Sequence, residues 1–263
     1  MKVACIQLSS GENYNKNFKQ IIFFIKQAIK NKADLIITPE TCSIITSNKK
    51  ILFKNTYKMK NDPLIKKIRD ISKKNNKWIL LGSLPIKDGK KLRNRSIMIG
   101  PRGNIVSYYD KIKMFDVKLP NKEQHKESKT YKPGKKLVSV NLPWGKLGLT
   151  ICFDLRFPEI YRNLSKKNLH FISVPSAFTK ITGKKHWLDL LKARAIENFC
   201  YIFAPNQTGK NTKKRETFGH TVIISPDGKI LKIKKYGTGV VYANIDPNLS
   251  MKLRKIIPSL ILN

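Results

Sequence analysis

The segment Gly148-Leu-Thr-Ile-Cys-Phe-Asp-Leu-Arg-Phe-Pro-Glu159 runs as an apolar strand straight into a cysteine, with a helix start a few residues later. This puts the Cys152 thiol at a strand-to-helix turn, where backbone N–H groups point outward, as in the nucleophile elbow of serine hydrolases. Such a position is expected to lower a thiol pKa and to favour an oxyanion. On pattern alone the opposite reading stands equally: Cys152 as a small core residue, like Cys5 within its own strand.

Working outward, short β-rich runs alternate with helix-length amphipathic ones. Val3 to Leu8 and Leu35 to Thr38 read as buried strands. Between them Phe18, Ile21, Ile22, Ile25 and Ile29 recur at helical spacing, which predicts a helix over 17–30. Asp62-Pro63 has the form of an N-cap followed by proline at the first helical position, opening a helix to about Lys74. Further strands are expected at 78–81, 96–99, 105–109, 147–151, 171–174, 201–204, 221–224, 230–233 and 240–245, with helices at 158–166 and 186–199. No linker composition divides the chain. The expectation is one α/β domain over residues 1–263, two sheets sandwiched between helices, with about 246–263 as a C-terminal extension. The stretch from Lys111 to Lys135 is long and poor in apolar periodicity, which marks it as a functional loop.

Composition sharpens the choice of function. The 263 residues include 53 Lys+Arg against 17 Asp+Glu, a formal charge of +36. Nine of the basic residues are arginines, and the lysines lie in doublets scattered along the chain; the longest basic run is Lys213 to Arg215. A nucleic-acid footprint concentrates charge on one face or tail and draws on arginine, so a lysine-biased solvated surface is the simpler reading. Such a surplus would also draw anionic substrates electrostatically. No apolar run reaches the ~18 residues that span a bilayer, and Met1 to Leu8 turns polar before a signal-peptide core forms. Cys5, Cys42, Cys152 and Cys200 show no C-x-x-C pairing, and His125, His170, His186 and His220 no ligand spacing; reduced thiols and no metal are expected.

A thiol nucleophile needs a base and a charge stabiliser. No histidine has a compelling context, and a phosphatase-type C-x5-R fails because Pro158 stands at the arginine position. Glu40 emerges after Leu35-Ile-Ile-Thr-Pro at a strand's carboxyl end, where α/β sheets place their sites, although taken alone it reads more readily as a solvated loop acid. Lys111, in Tyr108-Tyr-Asp-Lys-Ile-Lys-Met-Phe-Asp116, also follows a strand end.

Together these residues resemble the nitrilase, or carbon–nitrogen hydrolase, superfamily, whose catalytic set is Glu, Lys and Cys. Pro39-Glu40-Thr41, Tyr109-Asp110-Lys111 with Phe115-Asp116, and Thr150 to Glu159 match its three motifs in order and spacing. Pro175-Ser-Ala-Phe-Thr179 with Thr182-Gly183, His186-Trp187 with Leu191 to Asn198, and Phe218-Gly-His-Thr221 resemble the deaminated-glutathione amidase branch, with omega-amidase its near neighbour. Lys113 stands where relatives often have His and Phe153 where many have Tyr, and their basic C-terminal ending does not follow Ser259-Leu260.

The resemblance implies an αββα sandwich of two mixed β-sheets flanked by helices. It further implies an acyl-enzyme route with no metal or cofactor. Glu40 would be the base, Cys152 the nucleophile, Lys111 and the Phe153 backbone N–H the oxyanion donors, and Glu127 the group that orients Lys111. The implied substrate is a small carboxylate-bearing primary amide of the deaminated-glutathione kind, cleaved to acid and ammonia through a thioester. The alternatives are 2-oxoglutaramate, N-carbamoyl compounds, nitriles and, outside enzymes, nucleic-acid binding. Arg156, Thr179 and His186 are candidates for holding substrate carboxylates. Each has a plain structural reading beside it: Arg156 as an ion-paired brace of the turn, Thr179 as a cap, His186 as a helix start. Relatives usually dimerise, so a cytoplasmic homodimer or higher homo-oligomer is expected. It would act on a small-molecule amide and water, with neither membrane nor specific nucleic acid.

Overall fold

The computed structural model describes residues 1–119, 124–213 and 215–260; Lys214 of the basic run, residues 120–123 of the long loop and the last three residues lie outside them. The first sheet takes β1 (Lys2–Gln7), β2 (Leu35–Ile37), β3 (Trp78–Asp88), β4 (Lys91–Ile99), β5 (Ile105–Asp110) and, beyond β1, β16 (Gly239–Asn244). The second takes β8 (Val138–Leu142), β9 (Gly145–Leu149), β10 (Phe171–Ser173), β11 (Tyr201–Ala204), β14 (Thr221–Ile224) and β15 (Ile230–Lys234) in that spatial order. Two small hairpins, β6–β7 (Asp116–Lys118, Gln124–Lys126) and β12–β13 (Thr208–Thr212, Arg215–Phe218), complete the strands. The helices are α1 (Tyr14–Lys30), α2 (Lys49–Lys54), α3 (Pro63–Asn75), α4 (Pro158–Ser165), α5 (Lys180–Asn198) and α6 (Asn248–Ile256).

From β16 to β5 the first sheet pairs antiparallel, parallel, parallel, antiparallel, antiparallel, and the second repeats that order from β8 to β15. The two halves of the chain therefore build equivalent mixed sheets without a repeated sequence. Alternation along β1 makes the layers: Val3 and Cys5 enter the core between the sheets, while Ala4 and Ile6 pack beneath α1 and α3. Because both faces are covered, the strand reads as a continuous apolar run. On the other side α4 and α5 close the second sheet through Ile160, Tyr161, Leu164, Trp187 and Leu191. This is the expected sandwich of two mixed sheets between helices.

Local signals explain most boundaries. The Asp62 carboxylate accepts from Ile65 N at 3.0 Å, so the expected cap forms. Helix α1 starts at Tyr14 because Asn13 caps it, accepting from Lys16 N. Helix α5 departs furthest from expectation: it opens at Lys180, so His186 lies in its second turn. A glycine, Gly183, sits in that first turn because a Cβ there would meet the Phe218 side chain at 2.5 Å. Tertiary docking of β13 thus selects a residue of poor helix propensity. The expected stripe of Trp187, Leu191 and Ala195 is buried, and Phe199 caps the end with φ of 47°.

Gly82 sits where β3 packs against the ends of β2 and β10. A Cβ there would lie 1.9 Å from Thr38 O, 2.6 Å from Pro175 Cβ and 2.7 Å from Pro39 O. Overpacking against backbone costs about 1–3 kcal/mol or more. Gly82→Ala is therefore expected to lower stability by at least about 3 kcal/mol, read by urea unfolding. An unchanged midpoint would mean that the strand ends carrying Pro39 and Pro175 can move apart freely.

Candidate active site

Three strand ends converge on one cavity of about 280 Å³. Glu40 follows β2, Lys111 follows β5, and Cys152 follows β9; all three line the cavity, with Glu127 from the turn after β7. The expected elbow is present: Cys152 has φ of 46°, left-handed for a non-glycine residue, and begins a single 3₁₀ turn that leads into α4. Its N–H bonds to Pro175 O at 3.0 Å, which fixes the turn against the second sheet. The two readings of Cys152 also merge, since its side chain is buried and yet borders the cavity.

The charged groups form one network. Lys111 Nζ lies 2.9 Å from Glu40 Oε1 and 2.9 Å from Glu127 Oε2. Asn94 Nδ2 donates to Glu40 Oε1 at 2.9 Å and to Glu127 Oε1 at 3.0 Å, bridging the same two carboxylates. Backbone N–H groups complete the shells: Ala177 N donates to Glu40 Oε2 at 2.8 Å and Phe115 N to Glu127 Oε2 at 2.7 Å. Burial alone would push Glu40 up, but the Lys111 ammonium, helped by Arg215 and the Cys152 thiol, holds it below its ordinary value. Burial opposes the Lys111 charge, yet Glu127 and Glu40 hold its pKa well above that of an ordinary lysine.

Cys152 corrects a sequence expectation. Burial, and then the Glu40 charge, push its thiol well above the ordinary cysteine range, despite Lys111 and the Ala177 N–H. The turn geometry favours a thiolate, but a dry site already holding a carboxylate outweighs it. The resting pair is therefore a neutral thiol beside an ionised glutamate.

The candidate binding residues separate. Arg156 lines the cavity and has no carboxylate partner among the described residues; its guanidinium contacts His186 Nδ1 at 3.3 Å and stacks over Phe178 at 5.2 Å. The reading of Arg156 as an ion-paired brace is thus not met. Thr179 lines the cavity at the N-cap position of α5, but its hydroxyl pairs with Thr182 Oγ1 at 2.8 Å instead of capping the backbone. His186 does not line the cavity; it stands behind Arg156. The long loop supplies Lys111, Phe115, Glu127, Thr130 and Tyr131 to the cavity wall. The Phe153 ring packs against Phe115 and Phe157, at 5.1 and 5.5 Å.

Sequence reasoning passed over Asn94, Ala177 and Asp154. Asp154 accepts from Ile151 N (2.9 Å), Tyr109 Oη (2.7 Å) and Lys113 N (3.0 Å), tying the cysteine turn to the lysine segment. Its place two residues after Cys152 was the available signal. Burial pushes its carboxyl up to about 6. A carboxyl raised above its unfolded value contributes stability that is complete below about pH 3.8 and lost as pH rises through about 6. The loss amounts to about 3 kcal/mol. Urea unfolding between pH 4 and 7 should show this decline in the native chain and a flatter profile in Asp154→Asn; parallel profiles would remove Asp154 as its source.

The comparisons with known proteins agree with this geometry. The family model described as carbon–nitrogen hydrolase matches residues 2–255. The deaminated glutathione amidase of Yersinia enterocolitica is 38% identical over 234 residues, covering 87% of this chain and 81% of that one. The protein of the same name from Dictyostelium discoideum is 37% identical over 262 residues, covering 96% and 90%. The crystal structure of the C. elegans NitFhit protein superposes with a TM-score of 0.91 at 32% identity, over 100% of this chain and 64% of that longer one. With a match across nearly its whole length and relatives well above 30% identity, the chain belongs to the carbon–nitrogen hydrolase family.

Proposed function

We propose that this enzyme hydrolyses a small carboxylate-bearing amide through a thioester on Cys152. The observation that carries the reading is the Lys111 ammonium held 2.9 Å from each of two buried glutamates, beside the cysteine in one cavity. Glu40, an ionised carboxylate beside a neutral thiol, takes the proton as Cys152 Sγ attacks the amide carbon. Lys111 has three N–H donors, two of them engaged by Glu40 and Glu127. The third, with the Phe153 N–H, receives the oxyanion. Glu40 then returns the proton to the nitrogen, the C–N bond breaks and the thioester remains. Water attacks the thioester as Glu40 takes one of its protons, and the sulfur leaves and recovers that proton. Glu127 keeps Lys111 charged and directed.

The substrate class rests on the amidase-named relatives and on the cavity's charge. Among the described residues its wall carries Lys49, Lys111, Lys126, Arg156 and Arg215 against Glu40 and Glu127. Arg156 and Thr179 are assigned to the substrate carboxylate, and His186 to holding Arg156. A primary amide would release ammonia, as the sequence reading has it; deaminated glutathione is a peptide with secondary amides and would release an amine. One screen of both products across deaminated glutathione, 2-oxoglutaramate, N-carbamoyl compounds and simple nitriles ranks the alternatives. The reading also takes the enzyme as a cytoplasmic homo-oligomer without a nucleic-acid or membrane partner. Dispersed lysine doublets support the absence of a nucleic-acid partner, and a salt-titrated duplex-binding assay tests it; sedimentation velocity tests the oligomer.

Cys152→Ala is expected to abolish turnover, a loss of about 10⁴-fold or more in kcat. Cys152→Ser should be nearly as damaging, because a carboxylate base generates an alkoxide with difficulty. Amide hydrolysis that survives in Cys152→Ala would sink the assignment.

A further inference from the structure

Arg215 is a charged cavity residue to which the catalytic set gives no role. It opens β13, at the end of the basic run Lys213 to Arg215, and lines the cavity. Its hairpin is fixed in place: Phe218 N donates to Phe178 O at 2.9 Å, Thr179 bridges Thr217, and Gly183 leaves room for Phe218. The guanidinium itself is poorly satisfied. A guanidinium has five N–H donors; among the described residues Arg215 Nη2 donates to Ala177 O at 3.1 Å, while Nε is buried without a partner there. No carboxylate pairs with Arg215 among the described residues, in contrast to Arg93, Arg95 and Arg194. Glu40, whose charge it influences, already accepts from Lys111, Asn94 and Ala177.

A half-buried cation with no hydrogen-bonded carboxylate is costly, even with the Glu40 charge nearby, and a planar fork matches a carboxylate. Arg156, the other cavity arginine, stacks over Phe178 while Arg215 grips Ala177, so the two flank successive residues of one segment. We infer that Arg215 is a second, independent anion anchor, which selects amides carrying two carboxylates, one for each arginine. The inference deepens the proposed amidase function and rests on it for the identity of the reacting bond, though not for the anion site.

The test uses glutarylglycine (two carboxylates), glutaramate (one) and pentanamide (none) with the native enzyme, Arg215→Gln, Arg215→Lys and Arg156→Gln. In Arg215→Gln the ratio of kcat/KM for glutarylglycine to that for pentanamide should fall about 100-fold, and in Arg215→Lys about tenfold. An equal loss on all three substrates would make Arg215 a support for Ala177 and Glu40, and would overturn the anchor. Calorimetric titration of free glutarate into Cys152→Ala, with and without Arg215→Gln, needs no turnover. A Kd weakened at least tenfold by the second substitution sustains the anchor even if none of the amides is hydrolysed, while an unchanged Kd overturns it even if all of them are.

Discussion

A single buried ammonium organises this protein. Taking Lys111 out of water costs several kcal/mol, and so does burying each of its carboxylates. The arrangement holds because Lys111 contacts both Glu40 and Glu127 at 2.9 Å and because every carboxylate oxygen has a further donor or the ammonium itself. Two negative charges share one positive charge, and the surplus falls on the thiol beside them. The same electrostatics that stabilise the trio therefore raise the Cys152 thiol and hold Glu40 ionised. On the proposed mechanism, reactivity is then stored in Glu40 rather than in a standing thiolate.

That network constrains the fold in turn. Its members follow β2, β5 and β9, so both sheets must meet at a fixed distance for the set to assemble. Gly82 permits the approach, Asp154 ties the lysine and cysteine segments together, and the Ala177 peptide joins Glu40 on one side to Arg215 on the other. None of these groups belongs to the Glu40–Lys111–Cys152 trio, yet each fixes how closely the segments that line the cavity approach one another. Packing and catalysis are one constraint here.

The abundant charge divides along similar lines. Most lysines are solvated, and no local run of them forms a tail. Among the described residues the cations at the cavity are few: Lys111 inside the carboxylate network, and Lys49, Lys126, Arg156 and Arg215 along the wall. A net charge of +36 says little about which of them matter, because burial and partner geometry differ at each.

Where recognition depends on neighbours along the chain, the sequence alone was sufficient. Tyr201–Ala204 and Thr221–Ile224 have the bounds their apolar runs predict, the Asp62-Pro63 cap forms, and the Glu40, Lys111 and Cys152 motifs, each ambiguous alone, become legible together through their order and spacing. Where an interaction joins distant residues, only the tertiary structure decided. Asn94 reaches Glu40 across 54 positions and Asp154 reaches Lys113 across 41. Helix α5 starts at Lys180, its Gly183 leaves room for Phe218 of a distant strand, and His186, in the second turn, contacts Arg156. The direction of the Cys152 pKa belongs to the same class: turn geometry is local and favours the thiolate, whereas desolvation and a carboxylate from another strand are products of packing and prevail. Local pattern chose the groups, and long-range burial set their protonation, their partners and their reach.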